Sequence, residues 1–346
     1  MPDRTPVLEV NPPDVEGTAL PHVSVVLPAR DCAELLPDCL AAIDAQTYQG
    51  VVDLTVAVAP STDDTRRVLT DARLGAPMKV PMNVQMNVID NPAGTTPAGL
   101  NAAIAASDGT VVVRVDAQAR IPPDYIERAV ATMGASEAAN VGGVQRPVGG
   151  PGLAGVVAAA LASPFGAGPA AFRSGRRSGH VDTVYLGVFD RSVLESVGGF
   201  DESLERNQDY ELNWRLRSAG HSVWLDSGLV VDYVPRAGYR ALARQYFAYG
   251  AWKRRILLRH PQSLRPRQLA APALLAGLAV SGVQLFRGRP WGAVVPLAYT
   301  GASAIAAARL RPTLRSVNEQ LQAMGAFGVM HLAWGAGFWW GRTRRR

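Results

Sequence analysis

Residues 110–118 read TVVVRVDAQ, an apolar run that ends on a carboxylate. Val111, Val112, Val113 and Val115 are β-branched, with Asp108-Gly109 before the run and Pro122-Pro123 after it. A short β-branched run between turn signals predicts a strand buried on both faces. Asp116 then stands where that strand leaves the sheet. In open α/β sheets ligands bind beyond the carboxyl ends of parallel strands, so a carboxylate there is placed to anchor a metal or a sugar. The plainer alternative is an Asp that caps the next turn.

Upstream of this strand the pattern repeats. Residues 22–28 (HVSVVLP) predict a first strand closed by Pro28, and Asp31 is expected to cap a helix with Leu35, Leu36, Leu40 and Ile43 on one side. Residues 51–59 predict a second strand, and the turn at 60–65 leads into a second helix. Residues 83–90 predict a third strand. The loop 91–97 follows, with Thr96 as N-cap and Pro97 at the first helical position of a small-residue helix over 97–107. Strand and helix in alternation specify a doubly wound, mostly parallel sheet with right-handed crossovers. Its polar edge is expected to collect Arg30, Asp63, Asp90, Asn101 and Asp116.

Downstream the alternation loosens. Residues 122–134 predict a helix, 141–147 a strand, 149–179 a helix plus a mobile loop, and 181–189 another strand. Gly198-Gly199-Phe200-Asp201-Glu202 is followed by residues 207–216, NQDYELNWRL, where Leu212 and Leu216 fall at helical spacing. Asp209 and Glu211 lie near the start of that helix, where a carboxylate also satisfies free N–H groups.

The 346 residues suffice for one large or two ordinary domains. The formal net charge is +6, and Lys and Arg crowd residues 236–267 beside long apolar segments rather than within a nucleic-acid-binding motif. Anionic membrane lipid is the expected partner of that charge, and nucleic acid is not. Cys32 and Cys39 lie seven apart on one predicted helix, too far to bridge, and read as core thiols consistent with a reducing compartment. Residues 1–20 carry four prolines and no signal-peptide core, which predicts a disordered tail and the bulk of the chain in the cytoplasm.

Residues 238–260 mix aromatic with basic side chains and predict an interfacial amphipathic helix. Beyond them, 269–286, 291–308 and 321–340 are apolar and reach the ~17–25 residues of a membrane span. Three spans are expected, a multi-pass arrangement in the cytoplasmic membrane. They would put Arg342, Arg344, Arg345 and Arg346 outside, against the positive-inside tendency; two spans plus a re-entrant or interfacial third segment would keep them inside. His331 in the third segment is either a helix-packing residue or a contact to a lipid acceptor. The expected division is a tail (1–20), a catalytic domain (21–235), an interfacial helix (236–265) and a transmembrane region (266–346).

Three segments occur in a telling order: VSVVLP over 23–28, the strand ending Asp116-Ala117-Gln118, and Gly-Gly-Phe-Asp-Glu followed by Asp209-Tyr210-Glu211-Leu212-Asn213-Trp214-Arg215-Leu216. Together they resemble the family 2 glycosyltransferases over roughly residues 22–260. The resemblance implies the glycosyltransferase A fold, Rossmann-like and mostly parallel, and an inverting transferase that uses a nucleotide-sugar donor, expected to be a UDP-sugar. It places Asp116 and Gln118 at the two ends of the Asp-x-Asp motif that holds Mn²⁺ or Mg²⁺. Gln118 departs from the motif, a neutral amide being a poorer metal ligand than a carboxylate. Asp209 matches the general base, with Gln208 in place of the usual Glu and Glu211 as second candidate. Where the family carries aspartates after its second strand this chain has Val58, Ala59 and Pro60, so Pro28, Arg30, Asp63, Asp90 and Asn101 are the candidate donor contacts. Arg215 and the stretch 173–177 are expected to help hold diphosphate. Gln245, Tyr249, Gly250 and Trp252 partly match the Gln-x-x-Arg-Trp segment of processive synthases, which Lys253 does not complete.

The VRVDA run at 113–117 and the HLAWGAG run at 331–337 further resemble succinoglycan-type glucosyltransferases of exopolysaccharide assembly. That implies a polyprenyl-diphosphate-linked saccharide as acceptor. A polyprenyl-phosphate sugar transferase is the nearest enzymatic rival, and a non-catalytic scaffold that binds sugar nucleotide is the rival from another class.

Overall fold

The structure, a computed structural model, describes residues 19–73, 84–168, 170–175, 177–235 and 238–341. The tail expected over 1–20 lies almost wholly outside the described residues, as do the arginines from 342 onward and Arg176.

The first half follows the strand-helix alternation. β1 (Val23–Ala29), α1 (Leu36–Asp44), β2 (Val52–Val58), α2 (Thr65–Arg73), β3 (Gln85–Asp90), α3 (Thr96–Ala105) and β4 (Val111–Arg114) come in that order. β1 pairs in parallel with both β2 and β4, and β2 pairs in parallel with β3. Successive side chains of a strand face opposite sides. Val111, Val113 and Val115 accordingly enter a core with Leu36, Leu40 and Ile43 of α1, whereas Val112 enters a second core under α3. The Val-rich run is buried on both faces, as its composition requires.

β5 (Ala119–Arg120), α4 (Tyr125–Ser136), β6 (Asn140–Pro147), α5 (Leu153–Ala162), α6 (Pro164–Ala167), α7 (Ala171–Ser174), β7 (Gly179–His180), β8 (Tyr185–Asp190), α8 (Arg191–Ser196), α9 (Gln208–Ser218) and β9 (Val223–Tyr233) complete the catalytic body. The sheet is mixed: along the order β3-β2-β1-β4-β8-β6-β9-β5, β8 lies antiparallel between β4 and β6, and β6 pairs in parallel with β9. Two local expectations shift. Asp31 does not cap α1, whose N-cap is Leu35, and Cys32 lies in the turn before that helix. The N-cap of α3 is Thr95, one residue earlier than expected.

α10 (Tyr239–Arg259), α11 (Ala270–Phe286), α12 (Val294–Ala308) and α13 (Val317–Trp340) form the C-terminal bundle. Among the described residues two helical segments, not the expected three, are long and apolar enough by length and composition to cross a membrane: Pro266–Phe286 and Pro290–Ala308. Their surfaces are open, with Val280, Val283, Phe286, Val294, Leu297 and Ile305 exposed. The third segment is long enough but falls short in composition, and part of its apolar side is buried inside the protein. Ala323, Ala326, Phe327 and Met330 of α13 are buried in a core with Val156, Val157 and Ala160 of α5 and Leu242 and Tyr246 of α10.

Backbone contact between α10 and α13 depends on missing side chains. A Cβ on Gly337 would lie 1.9 Å from the carbonyl oxygen of Phe247, and one on Gly250 would lie 2.0 Å from that of Trp334. A backbone oxygen cannot rotate away as a side chain can. Gly337→Ala is therefore expected to destabilise the bundle by about 1–3 kcal/mol through overpacking. Gly282→Ala, where the added Cβ meets nothing within 4 Å, is expected to leave the thermal midpoint unchanged or higher. Thermal unfolding in detergent separates the two.

Candidate active site

Three chain segments converge at the carboxyl edge of the parallel strands: the end of β1, the end of β4 and the start of α9. The last residues of β1 and the turn after it contribute Pro28, Arg30 and Asp31, the turn after β4 contributes Asp116 and Gln118, and α9 brings Asp209. All of them line one open cavity of about 1310 Å³.

Arg114 joins the two carboxylates. Its Nη2 and Nε donate to Asp116 Oδ1 at 2.9 and 3.2 Å, and its Nη1 donates to Asp209 Oδ1. The Arg114 side chain is only 5 % exposed, so desolvation makes these partners obligatory. The ring centroid of Phe200 lies 6.0 Å from its Cζ, which adds a weak cation–π contact. One guanidinium meets two carboxylates, leaving a negative charge at the cavity wall. This is the residue that the sequence reading passed over. Its signal was present: an arginine inside a buried valine strand needs an acidic partner.

The loop beneath Arg114 is clamped from both sides. Gly198 and Gly199 take φ of +83° and +65°, conformations that suit glycine. Asn101 Nδ2 donates to the Phe200 carbonyl at 2.8 Å, and the Phe200 N–H donates back to Asn101 Oδ1 at 2.9 Å. Arg215 donates to the carbonyls of Val197 and Gly199 and forks onto Glu211 through Nε and Nη2, both at 2.8 Å. His260 Nε2 lies 3.4 Å from the same carboxylate.

The sequence-expected residues therefore divide. Pro28, Arg30, Asp116, Gln118 and Asp209 come together on the cavity, whereas Asp63, Asp90, Asn101 and Glu211 lie outside its lining. Glu211 is 3 % exposed and committed to Arg215, which likewise lies outside the cavity lining. Asp90 pairs with Arg66 on the surface. Asp63 accepts from Ala33 N, Thr65 N and Thr65 Oγ1, while Asp31 accepts from Thr62 N and Oγ1. These bonds tie the β1 and β2 turns together. They hold both carboxyls below the usual range, through the Thr65 hydroxyl for Asp63 and the Thr62 backbone N–H for Asp31.

The donor set for a divalent cation is partial. Among the described residues no cluster of three or more His, Cys, Asp or Glu side chains could hold a metal. Asp116 nevertheless has a second carboxylate oxygen outside the Arg114 contact, Gln118 offers an amide oxygen on the same cavity, and the Arg114 triad carries surplus negative charge. Hard cations take oxygen ligands and complete their shells with substrate phosphates, so these residues fit a metal that arrives with a diphosphate.

The polar edge is one end of the cavity. The other is lined by Ala270, Ala271 and Leu274 of α11, Tyr299 of α12, and Met330, His331 and Trp334 of α13. His331 Nε2 lies 2.8 and 3.2 Å from the carbonyls of Phe165 and Gly166, which only accept, so this nitrogen carries the proton. In the neutral ring Nδ1 then accepts from the Tyr299 hydroxyl at 2.9 Å. This couple ties α12 and α13 to α6.

A core of strands with one carboxylate at the exit of β4 and another at the start of a later helix is the frame of a sugar-nucleotide-dependent transferase. The glycosyltransferase like family 2 domain matches residues 21–250, and the chain belongs to this family. It is 30% identical to the succinoglycan biosynthesis protein ExoA of Rhizobium meliloti over 289 residues, 83% of this chain and 84% of that one. A chondroitin synthase of Pasteurella multocida is 28% identical over 110 residues, 31% of this chain and 10% of the synthase. Among solved structures, the mannosyltransferase PcManGT of Pyrobaculum calidifontis in complex with GDP-Man and Mn²⁺ shares the fold with a TM-score of 0.63 and 20% identity. That match covers 95% of this chain and 91% of the neighbour. The protein is thus a family 2 hexosyltransferase with the glycosyltransferase A fold.

Arg114→Met leaves two carboxylates without their shared cation. It is expected to cost about 3–5 kcal/mol of unfolding free energy, as for other broken buried ion pairs. Urea titration would show it, and Asp209→Asn on that background should recover part of the loss.

Proposed function

We propose that the protein transfers one sugar from a nucleotide-sugar donor to a lipid-linked saccharide at the cytoplasmic face of a membrane, with inversion at the anomeric carbon. The observation that carries this reading is a single cavity that runs from Asp116 and Asp209 to the inner wall of α11, α12 and α13. Two of those helices are long and apolar enough to span. A soluble acceptor would need no such wall.

In this reading the nucleotide rests against Pro28, Arg30 and Asp31, and a UDP-sugar is the proposed donor. Asp116 and Gln118 hold the divalent cation, Mn²⁺ or Mg²⁺. When bound, the cation offsets charge on the leaving diphosphate. Arg114 occupies Asp209 Oδ1, which leaves Oδ2 to accept the proton of the acceptor hydroxyl. The deprotonated oxygen attacks the anomeric carbon from the side opposite the leaving nucleoside diphosphate. A new glycosidic bond forms as the old C–O bond breaks, and the configuration inverts. Glu211 and Asn101 serve the same reaction indirectly, by holding the Phe200 loop beneath Arg114. Two α-helical spans, α11 and α12, are the proposed membrane anchor, with α10 at the interface.

General-base catalysis contributes ~10²–10⁴-fold. Membranes carrying Asp209→Asn, supplied with labelled nucleotide sugars and Mn²⁺ or Mg²⁺, are therefore expected to place label in the lipid fraction ~10²–10⁴-fold more slowly than wild type at equal amounts of folded protein; the melting point falls because Arg114 loses one charged partner, while Asp116 keeps it paired. Transfer at near-normal rate by the variant would remove Asp209 from the role. Metal-dependent donor binding without transfer to any added polyprenyl-linked saccharide would point to a scaffold instead.

A further inference from the structure

Lys253 lies on α10 where the polar half of the cavity meets the bundle. It is 7% exposed, yet among the described residues it makes no hydrogen bond and no ion pair. Its one close neighbour is an aromatic face: Nζ lies 3.2 Å from the centroid of the Tyr210 ring. Tyr210 is itself fixed, because its hydroxyl donates to the Ser263 carbonyl. An ammonium held this deep without a counter-charge is costly unless something anionic visits it. Lys253 lines the cavity, so a visitor can reach it.

The charge around Lys253 is net positive. Arg267 lines the same cavity and donates to Asp182, and Arg265 approaches that carboxylate at 3.8 Å, so two guanidiniums already share the single acidic partner. The same cavity has apolar lining: Ala270, Ala271 and Leu274 of α11, which begins three residues after Arg267, and Trp334 of α13. On the other side Tyr210 adjoins Asp209 in the chain. An anion at Lys253 thus shares one cavity with the candidate base and with an apolar wall able to take a tail.

We propose that Lys253, with Arg267 beside it, is an anion site for the phosphate or diphosphate head of the lipid-linked acceptor, separate from the Asp116 edge that takes the donor. This assignment rests on the reading of the cavity as a site for transfer to a lipid-linked saccharide. The apolar wall of α11 supports a lipid head at this position over the donor diphosphate, whose expected ligands Asp116 and Gln118 lie at the sheet edge.

The site also has a pH signature. Burial pushes the Lys253 ammonium down to about 7; Asp182 opposes the shift and Arg267 adds to it, while Tyr210 presents only its ring face. Below that pH Lys253 is already charged and the anion binds without proton uptake. Above it binding must recruit a proton, and affinity falls as pH rises.

The test reads binding rather than turnover, so it stands apart from the transfer assay. Full-length protein in lipid nanodiscs is titrated calorimetrically with farnesyl diphosphate, with farnesol, and with UDP plus Mn²⁺. Lys253→Met is expected to weaken farnesyl diphosphate by about tenfold or more, the scale of a lost charge-assisted contact, and to leave farnesol and UDP unchanged. Lys253→Arg is expected to retain binding. Between pH 7 and 8.5, where phosphate ionisation (pKa about 6) is complete, wild-type affinity should drop about tenfold while Lys253→Arg stays flat. Three results would overturn the assignment: wild-type affinity in Lys253→Met, a loss directed at UDP instead, or the same pH profile in wild type and Lys253→Arg. If Lys253→Met fails to fold, the comparison between wild type and Lys253→Arg decides alone.

Discussion

One guanidinium between two carboxylates sets the geometry on which the rest of the site depends. Arg114 leaves a strand buried on both faces and binds Asp116 at the strand exit and Asp209 at the start of α9. Its burial makes both partners necessary, because an unpaired charge there would cost far more than the pair returns. α9 is thereby registered against the sheet. The loop that packs Phe200 at the guanidinium is held in turn by Asn101 from α3 and by Arg215 from α9, which is braced by Glu211. Several polar residues that look catalytic by type are thus the supports of two that face the cavity.

The second constraint is close helix packing. α10 and α13 approach until backbone meets backbone at Gly250 and Gly337, and Ala323, Ala326, Phe327 and Met330 of α13 are buried in a protein core. α11 and α12 keep apolar surfaces that no described residue covers. Similar-looking segments are therefore used differently. α13 joins the catalytic body through His331 and the α6 carbonyls, and α11 and α12 keep exposed apolar faces, which the proposed reading sets in a bilayer. The cavity passes between them, which is why the proposed acceptor reading and the Lys253 site belong to one physical picture.

Much of this was legible in the order of residues. The alternation of apolar runs with helical patterns named the strands of the parallel half to within a residue or two, and the β-branched run at 111–115 named the central strand. Asp116 and Asp209 stood out because each ends or begins an element at a place where ligands gather. Asp63, Asp90, Asn101 and Glu211 stood out for the same reason and are engaged elsewhere. A carboxylate near a helix start or a strand end has the same local signature whether it faces a ligand, a threonine or an arginine. Only the neighbour that the fold delivers tells these apart.

Local patterns determined what depends on near neighbours in the chain: where strands and helices lie, which faces are apolar, which turns need glycine and which segments are long enough to span. Period and propensity are properties of a few adjacent residues, so they can be read in one dimension. Tertiary structure alone decided the pairings. Arg114 and Asp209 are 95 residues apart, and Lys253 and Tyr210 lie on different helices. Nothing in the spacing of such residues carries information about their contact. Which charge is neutralised, which is left facing the cavity, and which apolar helix is withdrawn from lipid are set by how the chain closes on itself, because burial and electrostatic interaction depend on distance in space and not on distance in sequence.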